Sequence, residues 1–177
     1  APLVPMTDVA LIGKGQAWQG VLNLGGIANI TIIPPKSGPD RRSSIHGWDC
    51  GPANSLIDLA VEKHTEGQLS FDTNGLIAKQ GVVKESIVKK WLNEPFFKSN
   101  PPKSTGREQF GLEDLNRRLK DIPELSPESQ IATLTAFTAA IIAQDFDRLE
   151  SINLVRPSEL FVAGGGAKNM QIMHELR

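Results

Sequence analysis

The first third of the chain alternates short apolar runs with turn residues, a pattern typical of strands joined by tight connections. Residues 21–24 form an apolar run that two glycines interrupt, and β-branched residues resume over 27–33. Residues 36–44 have the composition of a loop, and 45–48 return to a strand-like run. We therefore predict three strands, the last two of them joined by a hairpin-like connection.

Apolar residues at helical spacing dominate the middle of the chain. Pro52 suits the first turn of a helix whose apolar positions continue to Val61. Residues 83–92 place apolar side chains on one face of a second helix, and a polar, proline-containing loop is predicted over 98–110. Leucines at helical spacing over 112–119 predict another short helix.

The longest helix is predicted to begin at Ser126, a good N-cap residue, with Pro127 at the first helical position. Glu128 in the first turn strengthens this start signal. An apolar stripe follows, which we expect to pack on a sheet as core rather than to form a cofactor site. The stripe consists of Ile131, Leu134, Phe137, Ile141 and Phe146.

The end of the chain combines a buried-type strand at 160–163, three consecutive glycines, and a helix over 169–176. Strands in the first part, then helices, then a strand–glycine–helix unit indicate an α/β architecture.

Composition narrows the classes of function. The 19 basic and 20 acidic side chains leave a net charge of −1, which does not favour a nucleic-acid or anionic-membrane partner. No apolar run approaches the ~20 residues of a membrane span, and the start is no signal peptide. Cys50 is the only cysteine, which excludes an internal disulfide and suits a cytoplasmic protein, although a secreted protein with few cysteines would look the same. Because the chain lacks an initiator Met and stops within a helix-like segment, we expect a piece of a longer protein.

Three glycine-containing segments are candidates for ligand binding. In the first, Gly25 and Gly26 would let a ligand approach the backbone, and Asn29 could hydrogen-bond a phosphate or sugar. A tight hairpin with structural glycines explains the same residues. In the third, Gly164–Gly166 would leave a flat surface for a purine or ribose, or form a structural turn; it matches neither the phosphate-loop nor the dinucleotide motif.

The second segment places Asp49 at the end of a strand, just before a predicted helix start and Gly51. The first amides of that helix would be available for an anion. Asp49 could hold magnesium through water or remove a proton from a nucleophile, or it could simply cap the helix.

The loop at 101–108 is dense in charge and hydrogen-bond donors. Lys103 and Arg107 could bind a carboxylate or phosphate, and a solvated surface loop is the alternative. Cys50 suits a small buried residue better than a nucleophile, and the three histidines lack metal-ligand spacing, so we predict no zinc site.

Six ordered segments resemble the anhydro-N-acetylmuramic acid kinases. The resemblance covers nearly the whole chain, and the Pro-Pro-Lys-Ser-Thr-Gly-Arg-Glu segment is the most specific. One departure is Cys50, where the family commonly has Thr. The segments are 1–5, 23–29, 47–54, 71–75, 101–108 and 164–169.

This resemblance implies a ribonuclease-H-like (actin-like ATPase) lobe, with a mixed sheet flanked by helices. Residues 1–177 would be one incomplete lobe of a two-lobed kinase, without its N-terminal phosphate loop and C-terminal end, and inactive alone. The family uses ATP and Mg²⁺ to phosphorylate O6 of 1,6-anhydro-N-acetylmuramic acid while water opens the anhydro bridge, giving N-acetylmuramic acid 6-phosphate. A homodimer is also implied.

The resemblance also implies roles for residues. Asp49 would be the base that activates water, as in an inverting glycosidase. No residue is assigned as a direct metal ligand. The nucleotide side would contain Gly164, Gly165, Gly166 and Asn169, and the phosphate or sugar side Gly25, Gly26 and Gly51. The substrate side would contain Asn29, Lys103, Ser104, Arg107 and Glu108.

Three alternatives stay open, the first of them within the same class of enzyme. The enzyme could act on another 1,6-anhydro sugar such as levoglucosan, because a cationic partner for the lactyl carboxylate is not evident. The chain could also be a non-catalytic sugar- or nucleotide-binding module, or a structural α/β domain without a site.

Overall fold

The computed structural model describes residues 15–37, 44–106 and 108–177. The predicted segment at 1–5, most of the 36–44 loop and Arg107 lie outside these residues. The described part is an α/β structure, in which helices flank a four-stranded mixed sheet of order β3-β2-β1-β4. The strands are β1 Gln19–Leu24, β2 Ile27–Ile33, β3 His46–Pro52 and β4 Glu159–Ala163.

The first two strands form the predicted hairpin around Gly25 and Gly26. β1 pairs antiparallel with β2, from Gln19 opposite Ile33 to Leu24 opposite Ala28. The apolar residues of both strands are buried, except Ile27, which is partly buried; this confirms the strands that the apolar runs predict.

The third strand extends further than the sequence predicts. β3 pairs antiparallel with β2 up to Pro52, which lies opposite Ile27. The prediction of Pro52 in the first turn of a helix is therefore wrong, because cross-strand pairing holds this residue in the sheet. The pairing register skips Cys50, as in a β-bulge, a feature that re-aims neighbouring side chains.

Six helices occur in the described residues; five lie close to predicted helices, and the four-residue helix Pro95–Lys98 is not predicted from the sequence. None of them is long and apolar enough to cross a membrane. Short 3₁₀ turns occur at Thr73–Gly75, Ala78–Gln80, Glu150–Ile152 and Gly165–Lys168. The helices are α1 Asn54–His64, α2 Glu85–Leu92, α3 Pro95–Lys98, α4 Leu112–Leu119, α5 Pro127–Asp147 and α6 Met170–Glu175.

Helix α5 is the centre of the helical layer. Ser126 caps it by accepting a hydrogen bond from the Ser129 amide, and Pro127 opens it, both as predicted. It packs on β3, α1, α2 and α6. Four residues of its predicted apolar stripe are fully buried and Phe146 partly so, which confirms the stripe as core: Ile131, Leu134, Phe137 and Ile141.

The last strand is not buried as its sequence suggests. β4 pairs parallel with β1 and, among the strands that the structure describes, has no neighbour on its other side. Leu160 is 44% exposed and Phe161 is 40% exposed. An apolar run predicts a strand but does not decide which faces of that strand are covered.

Candidate functional site

The glycine turn at 25–26 and the triple glycine at 164–166 meet at one edge of the sheet. β1 and β4 are parallel neighbours, so their carboxyl ends lie side by side. Gly164 has a φ of +85°, and a Cβ there would lie 2.6 Å from both the Asn23 Oδ1 and the Leu24 carbonyl oxygen. A Cβ at Gly166 would lie 2.7 Å from the Leu24 Cβ. Glycine is therefore required at Gly164 for the two turns to pack together.

Asn54 ties the hairpin turn to helix α1. Its Nδ2 donates to the carbonyl oxygens of Leu24 (3.0 Å) and Gly25 (2.9 Å). Its own amide donates to Gly25, and the amides of Ala53 and Ser55 donate to Gly26. The prediction that these first amides are available for an anion is therefore wrong, because carbonyl groups of the hairpin already occupy them.

Two pockets open beside these turns. The triple-glycine pocket, of about 450 Å³, lies between the 165–169 segment and residues 71–74. The hairpin pocket, of about 560 Å³, extends from Gly25 and Gly26 toward Phe110. Both pockets are lined by Asn54 and Asp58, so they are neighbours along α1.

Asn169, which the resemblance assigns to the nucleotide side, lines the triple-glycine pocket, but its side-chain oxygen already accepts hydrogen bonds within the chain. Asn169 Oδ1 accepts hydrogen bonds from the Gln171 and Ile172 amides and thereby caps α6. Sequence reasoning missed Asn54 and Asp58, although their i, i+4 spacing on α1 places both on the same face of the helix.

A row of polar side chains crosses the sheet from the triple glycine at 164–166 to Asp49 in β3. Asn23 pairs with Asn29, Asn29 pairs with Asp49, and Asn23 also lies opposite Ala163, the last residue of β4. Directly paired residues share one face of a sheet, and three strands span ~10 Å. All three polar residues are partly exposed, whereas their neighbours along each strand, such as Leu24 and Cys50, are buried.

Asp49 lies within β3 and does not cap α1, because four residues separate it from the first residue of that helix. Its Oδ2 accepts hydrogen bonds from Ser104 Oγ (3.0 Å) and from the Thr105 amide (3.0 Å). Its own amide donates to the Lys103 carbonyl oxygen at 3.0 Å. The loop at 103–105 therefore runs beside β3. Among the described residues, the donors of this loop bind only one oxygen of the Asp49 carboxylate, Oδ2.

The Lys103 ammonium points to the interior, and its side chain is only 5% exposed. Its Nζ lies 2.9 Å from Asp145 Oδ1 and 5.1 Å from the centre of the Phe96 ring. The other Asp145 oxygen accepts a hydrogen bond from Trp48 Nε1 at 2.9 Å. This placement does not support the predicted contact between Lys103 and a substrate, because the chain's own carboxylate already neutralises the ammonium.

Gly51 faces the core rather than a ligand, which corrects its predicted place on the phosphate or sugar side. A Cβ at Gly51 would lie 2.8 Å from the Phe97 ring and 3.4 Å from Ile141. Cys50 beside it is fully buried, and burial, followed by the charge of Asp145, raises the pKa of its thiol. The thiol therefore stays protonated at neutral pH, in agreement with the prediction that Cys50 is no nucleophile.

The remaining predicted residues of the 101–108 loop have different positions. Ser104 contacts Asp49, as above, whereas Glu108 is exposed and its carboxylate fills the space beside Gly106. Across the described ranges no group of three or more His, Cys, Asp or Glu side chains could hold a metal ion.

Comparison with known proteins places these residues in a family. The family model described as anhydro-N-acetylmuramic acid kinase matches residues 1–177. A protein of that name from Prochlorococcus marinus (strain MIT 9303) is 62% identical over all of this chain and 47% of its own length. One from Synechococcus sp. (strain WH7803) is 56% identical over all of this chain and 46% of its own length.

A third relative of the same name, from Parasynechococcus marenigrum (strain WH8102), is 55% identical over the whole chain. The chain spans about half the length of these curated relatives. Since the family model covers every residue, the glycine turns and the Asp49 loop both lie within the match. The chain belongs to the anhydro-N-acetylmuramic acid kinase family.

Proposed function

We propose that the full-length protein containing this chain is a kinase that transfers the γ-phosphoryl group of ATP to O6 of 1,6-anhydro-N-acetylmuramic acid. The observation that carries the proposal is the polar row from the triple glycine to Asp49, whose carboxylate Ser104 and Thr105 hold in place. In this proposal the chain is one incomplete lobe of an actin-like, two-lobed kinase.

The nucleotide would bind in the triple-glycine pocket. Gly165 offers backbone without a side chain, and the ring of Phe71, which is 56% exposed, is available for stacking on a base. Asn54 and Lys168 contribute polar groups at the same pocket. These residues fit a nucleoside better than they fit a metal ion, and magnesium would be held mainly by phosphate oxygens and water.

The phosphate and sugar groups would extend toward the hairpin pocket and the polar row. Ser55 lines that pocket, and its Oγ is buried without a hydrogen-bond partner in the described part of the chain. A buried hydroxyl without a partner is costly, so a ligand or water at this position would satisfy it. Asn29 is the residue of the row nearest to Asp49 and would contact the sugar.

Asp49 would act as a general base. A water molecule attacks the anomeric carbon of the sugar and gives its proton to the carboxylate, while the bond between C1 and O6 breaks. O6 then takes the γ-phosphoryl group, and ADP leaves. Because the described donors hold Oδ2, the other oxygen, Oδ1, is the one that would receive the proton. The product is N-acetylmuramic acid 6-phosphate.

The test compares Asp49→Asn with the wild-type full-length protein, supplied with 1,6-anhydro-N-acetylmuramic acid, ATP and magnesium. Loss of a general base predicts a fall in turnover of about 10²- to 10⁴-fold, with nucleotide and sugar binding retained. ADP release and the product mass, heavier by phosphate plus water, are measured. Asp147→Asn is the matched control, because this carboxylate is 73% exposed at the end of α5.

A second candidate is a kinase for a sugar without the lactyl carboxylate, such as levoglucosan. The observation that favours it is the buried pair of Lys103 and Asp145, which removes one predicted cation from the cleft. Turnover of levoglucosan but not of the muramic sugar would select this candidate. Binding of both ligands without ADP release, unaffected by Asp49→Asn, would instead indicate a non-catalytic module.

The resemblance also implies a cytoplasmic homodimer. Light scattering of the full-length protein tests the dimer, since a mass equal to one chain at micromolar concentration would contradict it.

A further inference from the structure

We propose that Asp145 is a positioning residue of the kinase reaction, which orients the Asp49 carboxylate by fixing both segments that hold it. The inference rests on the proposed function of Asp49. Asp145 itself touches neither Asp49 nor the pockets, so it would act through the residues it binds.

Asp145 is buried near the end of α5, and each of its oxygens has a different partner. Oδ1 lies 2.9 Å from Lys103 Nζ, and Oδ2 accepts a hydrogen bond from Trp48 Nε1 at 2.9 Å. The Asp145 side chain is 1% exposed, and Arg148 Nη1 lies 3.8 Å from Oδ1 on the outer side. With both oxygens bonded inside the protein, the carboxylate has one orientation available.

The two main partners are the chain neighbours of the residues that form the candidate active site. Trp48 immediately precedes Asp49 in β3, and Lys103 immediately precedes the two donors to Asp49, Ser104 and Thr105. Successive side chains of a strand point to opposite faces, so Trp48 reaches Asp145 behind the sheet while Asp49 faces the front. Asp145 thus connects β3 and the 103–105 loop through Trp48 and Lys103, on the side of the sheet opposite to the Asp49 carboxylate.

The backbone completes this connection. The Asp49 amide donates to the Lys103 carbonyl oxygen at 3.0 Å, which aligns the loop with β3 at this residue. The loop has no further sheet partner among the described residues, so its distance from β3 depends on this bond, the two donors to Oδ2, and the anchor at Asp145. Removing the anchor would let Ser104 and Thr105 shift relative to the carboxylate.

A buried ion pair generally adds little net stability over apolar side chains of the same volume. What it does supply is a fixed geometry between the groups that it joins. Since a displacement of about 1 Å in a catalytic group costs up to roughly 10²-fold in rate, a geometric role for Asp145 has measurable consequences.

The experiment uses the full-length enzyme and three variants: Asp145→Asn, Ser104→Ala and the combination of both. We expect Asp145→Asn to lower kcat by about 10- to 100-fold and to leave KM for ATP within about twofold. If Asp145 acts through Ser104, the combined variant loses no more activity than Asp145→Asn alone. Independent, multiplying losses, or an unchanged kcat in folded Asp145→Asn, would overturn the inference.

Asp121→Asn is the matched control. Asp121 also accepts hydrogen bonds from a lysine and a tryptophan, Lys90 (2.7 Å) and Trp91 (2.8 Å), but it lies away from Asp49. The Asp121→Asn variant should have a lower melting temperature than the wild type and an unchanged kcat. If Asp145→Asn does not fold, Lys103→Met combined with Asp145→Leu removes both buried charges, and the same fall in kcat is expected.

The outcome also separates this inference from the proposed function. No ADP release by the wild-type enzyme with either anhydro sugar would overturn the proposed function and the inference with it. A wild-type rate that depends on Asp49 but not on Asp145 would overturn the inference alone.

Discussion

At the residue scale, glycines with similar sequence contexts have different physical roles. Gly164 is confined by the Leu24 backbone and has a positive φ, whereas the nearest atom to a Cβ at Gly25 is the Ile27 carbonyl oxygen at 3.6 Å. Gly51 is required by core side chains. A glycine in a motif therefore indicates close packing, and only its surroundings decide whether a ligand or the protein itself fills the space.

This difference predicts unequal costs of adding a methyl group. Gly164→Ala should lower the free energy of unfolding of the full-length protein by about 2 to 4 kcal/mol, because a backbone carbonyl cannot move aside and the φ is unfavourable. Gly25→Ala, with ordinary contact distances, should cost less than about 1 kcal/mol. Urea denaturation measures the free energy of unfolding of both variants, and equal losses would contradict the different packing of the two glycines.

At the element scale, a buried arginine holds three helical segments together. Arg118 on α4 is fully buried, and its guanidinium lies 4.6 Å from the centre of the Phe137 ring of α5. It binds Glu94, which precedes α3, with both terminal nitrogens at 3.1 and 3.0 Å, and it binds Asp114 one turn earlier at 2.8 Å. Arg117 binds the same two carboxylates from the surface.

The two neighbouring arginines make a matched pair of mutations. Arg118→Leu should destabilise the protein by about 3 to 5 kcal/mol, since it removes a fully buried guanidinium that joins Glu94 and Asp114 beside the aromatic core and leaves both carboxylates to the exposed Arg117. Arg117→Leu should cost at most about 1 kcal/mol, because this side chain is 51% exposed. Thermal and urea unfolding of both variants test this; similar losses would show that the carboxylates, and not the burial of Arg118, carry the effect.

At the scale of the whole molecule, the mixed sheet brings distant parts of the chain to one site. The parallel pairing of β4 with β1 sets the 164–169 segment beside the hairpin turn, although the paired residues of the two strands lie 140 positions apart along the chain. The antiparallel pairing of β2 with β3 then sets Asp49 in line with Asn29. The triple-glycine pocket, which we propose as the nucleotide site, and the candidate base thus lie toward two ends of one sheet face.

This arrangement predicts where ATP protects the backbone. In the full-length protein, ATP should slow amide hydrogen exchange in residues 71–74 and 164–169, because a bound nucleotide restricts opening of the segments that it contacts. Helix α2, which lines neither pocket, is the internal control and should not change. Protection of α2 alone, or of no segment, would contradict a nucleotide site at the triple glycine.

Much of the fold could be predicted from the sequence because its signals are local. Ser126 and Pro127 specify the start of α5 within one turn, and the apolar stripe that follows specifies its buried face. The Gly25-Gly26 break specifies the hairpin between an apolar run and a β-branched run. Such caps, turns and periodicities involve residues a few positions apart, whose geometry the backbone already constrains.

The environment of the candidate site could not be predicted in the same way. Asp49, Ser104 and the glycine turns were recognised as candidates, yet the partner of Lys103 lies 42 residues away and that of Trp48 lies 97 residues away. Likewise, the hairpin carbonyl groups occupy the first amides of α1, and Pro52 stays in the sheet. These contacts depend on how the helices and strands pack against one another, and no local sequence pattern encodes them.

The sequence by itself therefore determined the elements, the family and the residues with the right chemistry for a site. Tertiary structure alone decided which of those residues are available: it paired Lys103 with Asp145, turned Gly51 toward Phe97, and left β4 exposed. The physical reason is the distance along the sequence over which the interactions act. Secondary structure follows from interactions along a few neighbouring residues, whereas burial and charge pairing follow from contacts that exist only after helices and strands have packed.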